Sequence, residues 1–161
     1  MQKLGFVLIT DRGGHLSNAL EMVKGMTVPP DAIVTTFGPD IEALKKDTPA
    51  VYSVPYLFSW IGKKRFLNPL GIFKHVVKSF WLAATLRPRS VVSLGATNVV
   101  FFCYFARLFG GRVFHVECMN QVVHPSVTGK LLYPISETVL VQWESLLPKF
   151  GPKARYEGWV L

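Results

Sequence analysis

A chain of 161 residues, half of them hydrophobic and 13% aromatic, is long enough for one domain with its own core, spanning 1–161. It holds no uninterrupted apolar run of the roughly 18–20 residues that span a bilayer, no signal-peptide pattern, because Asp11 and Arg12 break the first apolar run, and no Cys/His spacing that suggests zinc. The net charge of +8 arises in the middle: between Asp47 and Glu117 there are nine basic residues and no acidic one, against nine basic and ten acidic in the remainder, a block that implies an anionic partner.

The apolar run Leu4–Thr10 predicts a first strand. It leads through Asp11-Arg12-Gly13-Gly14-His15 into a helical pattern, His15–Met26. A glycine loop that opens a helix leaves backbone N–H groups free for a phosphate or another anion. Gly13 and Gly14 are therefore candidate anion-binding positions, and His15 can reach whatever the loop holds. The loop is not G-x-G-x-x-G, and no acidic residue ends the next strand, Ala32–Thr36. A nicotinamide dinucleotide is not expected. A helix over Pro39–Lys46 and a strand over Ala50–Val54 follow.

The segment Tyr56–Leu67 mixes aromatics with a cationic triplet. Phe58, Trp60, Lys63, Lys64, Arg65 and Phe66 suit a membrane interface, where apolar groups enter the acyl boundary and cations meet anionic headgroups. Pro69–Leu86 is a predicted helix. Its spacing of Leu70, Phe73, Val77, Phe80, Trp81 and Ala84 reads as a core-facing row, with Lys74 and Lys78 on another face. The stretch 56–81 is the candidate membrane-facing region. A nucleic-acid partner is not expected, because no recognition helix or RNA-binding signature is present.

Strand Ser90–Leu94 meets Gly95-Ala96-Thr97-Asn98 and a helix over Asn98–Phe109. Thr97 or Asn98 can cap that helix or join Gly95 in a second anion site. Strand Arg112–Val116 ends in Glu117, which can act as a general base or hold a sugar hydroxyl. His115 reads as a packed core histidine, and Cys103 and Cys118 as buried free thiols in a reducing compartment. Ser126 opens a helix over 126–133. Strands over Thr138–Gln142 and, weakly, Arg155–Val160 complete the pattern. Alternating strands and helices predict a Rossmann-like α/β fold, a parallel sheet with helices on both faces. Ligands then sit beyond the carboxyl ends of the strands, at Gly13–His15, Gly95–Asn98 and Glu117–Asn120.

Read together, the Gly-Gly-His loop, Glu117 with Ser126-Val127-Thr128-Gly129-Lys130-Leu131-Leu132-Tyr133-Pro134, Val141-Gln142-Trp143-Glu144 and Ala154-Arg155-Tyr156-Glu157-Gly158 resemble a known family. It is the acceptor-binding, membrane-associating subunit of two-component glycosyltransferases. Its members include the anchoring subunit of the dolichol-pathway GlcNAc transferase and bacterial capsule or exopolysaccharide proteins of the PssD type. The resemblance implies the N-terminal half of a GT-B glycosyltransferase. It also implies a partner subunit that binds the UDP-sugar, a lipid-linked saccharide acceptor such as undecaprenyl pyrophosphate carries, and inversion at the anomeric carbon.

Under the resemblance, Gly13, Gly14, Gly95, Thr97, Asn98 and Ser126 hold the acceptor and its pyrophosphate, and His15 or Glu117 is the base. A helix N-terminus, where positive charge is disfavoured, suits a neutral imidazole. Trp143, Trp159 and Leu161 are candidate partner contacts. No cofactor or metal is called for, and no Asp-x-Asp motif occurs. The chain lacks the N-terminal membrane helix usual in dolichol-pathway subunits, which points to the bacterial type, peripheral on the cytoplasmic face of the plasma membrane and inactive alone. A noncatalytic anchor is the alternative, and a stand-alone nucleotide-sugar enzyme a third.

Overall fold

A computed structural model describes residues 4–39, 41, 44–45, 50–61 and 64–159, with backbone only at 60, 61 and 65. Seven strands form one parallel sheet: β1 (Phe6–Thr10), β2 (Ala32–Thr36), β3 (Val51–Val54), β6 (Ser90–Leu94), β7 (Arg112–Val116), β8 (Ser136–Leu140) and β9 (Ala154–Arg155), in the order β3-β2-β1-β6-β7-β8-β9. Strands buried on both faces read as continuous apolar runs, which is why Val7–Ile9 and Ala32–Val34 lack alternation. The strand order reverses between β1 and β6, and the crevice at their carboxyl ends is where this architecture binds ligands.

Right-handed crossovers in opposite directions put helices on opposite faces. Helix α1 (Gly14–Lys24) covers one face through Leu16 and Ala19, against Leu8, Ile33 and Leu94. Three helices cover the other face: α2 (Pro69–Leu86), α3 (Val100–Leu108) and α4 (Val127–Leu132). They supply Leu82, Phe102, Cys103 and Leu132 against Val7, Ile9, Val91 and Val113. A short helix α5 (Leu147–Phe150) packs Phe150 beside Val139 and Val141. Of the helix expected over 39–46, Ile41, Leu44 and Lys45 are described and helical; Asp40, Glu42, Ala43 and Lys46 lie outside the described residues.

Several features differ from the sequence reading: β8 begins two residues before the expected 138–142, and β9 takes in only Arg155 of the strand expected over Arg155–Val160. Helix α2 turns the row His75, Ser79, Leu82 and Leu86 inward. The bulkier row expected in the core faces outward, with Leu70, Phe73, Val77, Phe80 and Trp81 between 46% and 66% exposed. Burial of His75 is tolerated because its Nδ1 donates to the Pro55 carbonyl. The segment read as membrane-facing, to which no strand was assigned, is an antiparallel hairpin, β4 (Phe58–Ile61) with β5 (Lys64–Leu67), pairing Phe58 with Leu67 and Trp60 with Arg65. Asn68 fastens it to α2: its Oδ1 accepts from the Leu70 and Gly71 amides as the N-cap, and its Nδ2 donates to Ser59 Oγ. Among the described residues no helix is long and apolar enough to cross a membrane.

His75 and His115 are both fully buried, and desolvation pushes each imidazole below the ordinary 6.5. The unfolded chain binds more protons between each depressed value and 6.5, so both side chains stabilise the fold above that window and lose the contribution as pH falls through it. Urea midpoints should therefore drop between pH 7.5 and 5.5, and His115→Leu should flatten part of that drop. A midpoint constant over this range in the parent chain would contradict the assignment.

Candidate functional site

The site forms around Asp11, the first residue after β1, which is only 9% exposed. Its Oδ1 accepts from the Arg12 amide at 2.9 Å and from Thr36 Oγ1 at 2.5 Å, and its Oδ2 accepts from Asn98 Nδ2 at 2.7 Å. Asn98 Oδ1 in turn accepts from the Leu57 amide at 3.2 Å. One carboxylate thus ties together the loops after β1, β2 and β6 and the approach to the hairpin.

Gly13 is the N-cap of α1, with φ +69° and no side-chain cap. An L side chain rarely adopts that conformation, and a missing cap leaves the first helical N–H groups facing the crevice. Gly95 has φ +135°, and a Cβ there would come within 3.0 Å of the Asp11 amide nitrogen and 3.5 Å of His15 Cβ. The two glycine loops therefore meet at His15. Thr97 begins a single 3-10 turn, Thr97–Val99, without a side-chain cap. Asn98 does not cap that turn: its Nδ2 donates to Asp11 and its Oδ1 accepts from the Leu57 amide.

His15 is half-buried, and its Nδ1 lies 3.6 Å from Cys118 Sγ. Both residues line a cavity of about 290 Å³ with Gly14, Asn18, Met119 and Asn120. The Cys118 thiol is pushed up to about 11, first by burial and then by the negative charge of Glu117. It is a protonated thiol at neutral pH, not a thiolate nucleophile.

Glu117 is fully buried and does not line that cavity. Its Oε1 accepts from the Cys118 amide at 3.0 Å, and its Oε2 accepts from the Ser126 amide at 3.2 Å and Ser126 Oγ at 3.1 Å. Ser126 Oγ also accepts from the Gly129 amide, capping α4. A Cβ on Gly129 would collide with the Glu117 carboxylate and the Phe150 ring. The pair that sequence alone could not separate is thus placed in two layers, His15 at the cavity and Glu117 behind the loop that forms its wall. His115 sits beside them with Ser93 Oγ 3.3 Å from its Nδ1.

Trp143 Nε1 donates to the Met119 carbonyl at 2.7 Å, and its ring meets that of Trp159 at 5.4 Å and 66°. Trp159 is 58% exposed. Lys63 and Leu161 lie outside the described residues. In the hairpin Phe66 is 39% exposed, Lys64 is exposed and Phe58 is half-buried. Cys103 and Cys118 are both buried and unpaired. Among the described residues no group of three His, Cys, Asp or Glu side chains could hold a metal ion.

Asp11 escapes sequence reasoning because its partner Asn98 is 87 residues away. Its one signal is position, a carboxylate directly after a buried strand and before the glycine loop.

Fold and crevice together define a Rossmann-like α/β lobe with ligand-accessible loops at the carboxyl ends of its strands. It superposes on MurG of Acinetobacter baumannii with a TM-score of 0.71 over 94% of the chain at 21% identity. On a UDP-N-acetylglucosamine 2-epimerase of Rickettsia bellii the score is 0.67 over 99% at 15% identity. The chain spans about half of each, 45% and 46%. It is 27% identical over 91% of its length to UDP-N-acetylglucosamine transferase subunit ALG14 of Yarrowia lipolytica, covering 76% of that protein. It is 25% identical over 98% to the Rattus norvegicus subunit of the same name, covering 83%. The profile of oligosaccharide biosynthesis proteins like Alg14 matches residues 60–160, and the chain belongs to that family.

Replacing Asp11 by alanine leaves the Asn98 amide and Thr36 hydroxyl without their acceptor in a buried setting. The expected cost is about 1–3 kcal/mol, read by chemical denaturation; a change near zero would mean that the four segments do not depend on this carboxylate.

Proposed function

We propose that the chain binds a lipid-linked saccharide acceptor at a membrane and, paired with a subunit that binds a UDP-sugar, completes an inverting glycosyltransferase. The observation that carries this reading is His15 and an uncapped helix N-terminus at one cavity, with the Gly95 loop packed close to the His15 side chain. The relatives' name supports UDP-N-acetylglucosamine as the donor. Undecaprenyl pyrophosphate is the proposed carrier, in the assembly of a bacterial capsule or exopolysaccharide.

The saccharide-side phosphate of the acceptor pyrophosphate rests on the N–H groups of the Gly13-Gly14 loop, with the Gly95 loop beside it. The acceptor hydroxyl attacks the anomeric carbon of the donor, the bond to UDP breaks, and the hydroxyl proton passes to His15. With Nδ1 at Cys118, Nε2 is the nitrogen left to substrate. Glu117 positions the Cys118–Asn120 wall through its amide bonds. Trp143 holds Met119, and Trp159 offers an exposed ring to the partner subunit.

The outward row of α2, with Phe66 and Lys64 of the hairpin, supports attachment to the membrane surface. Aromatic and aliphatic groups enter the interface while nearby lysines meet anionic headgroups. The same row supports the competing reading of a noncatalytic anchor, and one pair of variants separates the two. With the chain reconstituted beside a UDP-sugar-binding partner, His15→Ala should abolish transfer and leave flotation with anionic liposomes intact. Phe73→Asp combined with Trp81→Asp should do the reverse to flotation. Full transfer by His15→Ala would leave the anchor as the better account.

A further inference from the structure

A second cavity, of about 580 Å³, opens beyond the carboxyl ends of β2 and β3, between Phe37, the β3 exit Ser53–Tyr56 and α2. Its size falls among the roughly 300–1,000 Å³ of small-molecule sites. Phe37, Val54, Pro55 and Tyr56 make its walls apolar, and its charged groups are Lys74 and Lys78. These lysines lie one helical turn apart on the same side of α2, where two ammonium groups repel each other. Among the described residues neither pairs with a carboxylate. The apolar wall lowers the local dielectric, so an anion between the lysines would be held more strongly than in water.

The cavity is continuous in chain with two other features. Phe73 and Val77, next to Lys74 and Lys78, belong to the exposed apolar row, and Lys78 Nζ lies 4.3 Å from the centre of the exposed Trp81 ring. On the inner side, the Phe37 carbonyl accepts from Arg12 at 3.3 Å, next to the glycine loop. An apolar chamber with a cationic pair, set between a lipid-compatible surface and the loop after β1, matches one ligand shape: a single apolar tail with a phosphate at its end.

We propose that this cavity seats the first isoprenoid units of the acceptor's carrier lipid, with Lys74 and Lys78 on the lipid-side phosphate. The inference rests on the lipid-linked acceptor read above and deepens it, because it adds a subsite that recognises the carrier rather than the saccharide.

The test is direct binding of farnesyl phosphate to the whole chain by calorimetry, with farnesol, inorganic phosphate and phosphatidylglycerol vesicles as separate probes. Farnesyl phosphate should bind saturably, and inorganic phosphate should not displace it. Lys74→Gln combined with Lys78→Gln should weaken it by about tenfold or more and leave farnesol unchanged. Ser53→Trp, which fills the chamber, should weaken both; its thermal unfolding must match the parent, and the lysine pair decides the matter if it does not. Unchanged affinity in the lysine pair overturns the proposal. So does a loss confined to vesicle binding, which would make the lysines part of the membrane surface only. His15→Ala should bind farnesyl phosphate normally. Lysine-dependent binding without transfer by any reconstituted pair would sink the transferase reading and leave this site standing.

Discussion

The Asp11 carboxylate is the constraint on which the crevice depends. A buried carboxylate is costly unless donors surround it, and here the donors come from three different stretches of chain, Arg12, Thr36 and Asn98. Through Asn98 the same group reaches Leu57, so the hairpin and α2 are set relative to the first loop. The loops around Gly13, Gly14 and Gly95 take their surroundings from this carboxylate, because glycines have no side chains of their own to fix them. The price of such an arrangement is that the four segments are positioned together or not at all.

Glu117 repeats the device on the other side of the crevice. It follows β7 as Asp11 follows β1, and it too is consumed by amides of the loop behind it. The two acids act as internal anchors for backbone, and the His15 imidazole lies at the cavity between the loops. Gly129 shows how closely this second anchor is packed, since even a methyl group there meets both the carboxylate and Phe150. The protonated Cys118 thiol, held by burial and by Glu117, keeps the neighbourhood of His15 free of a competing thiolate.

Much of the sheet was legible because burial on both faces writes unbroken apolar runs. Ala32–Thr36, Ser90–Leu94 and Arg112–Val116 coincide with β2, β6 and β7. Helix α2 was legible in extent and misread in orientation: hydrophobicity pointed to the Phe73–Trp81 row, whereas packing chose the smaller Ser79 and the hydrogen-bonded His75. β8 lies two residues earlier than its apolar centre suggested, because Ser136 pairs with Val113 ahead of an irregularity in register. The hairpin carried one weak signal, Gly62-Lys63 between two mixed runs. For the crevice, the glycine loops and His15 could be read locally. The bonds of Asp11 and Glu117 could not, since hydrogen bonds across 87 residues, or across the nine from Glu117 to Ser126, leave no period in the chain.

The outward row of α2 also shapes how copies of this chain behave toward one another. Apolar area left in water forfeits the stabilisation that burial would supply, about 25 cal/mol per Å², and the same area on a second molecule is the nearest place to recover it. A net charge of +8 opposes that encounter by mutual repulsion. Dispersal in water is therefore a balance between a sticky stripe and a like-charged envelope, and added salt, which thins the envelope and leaves the stripe untouched, shifts it toward self-association.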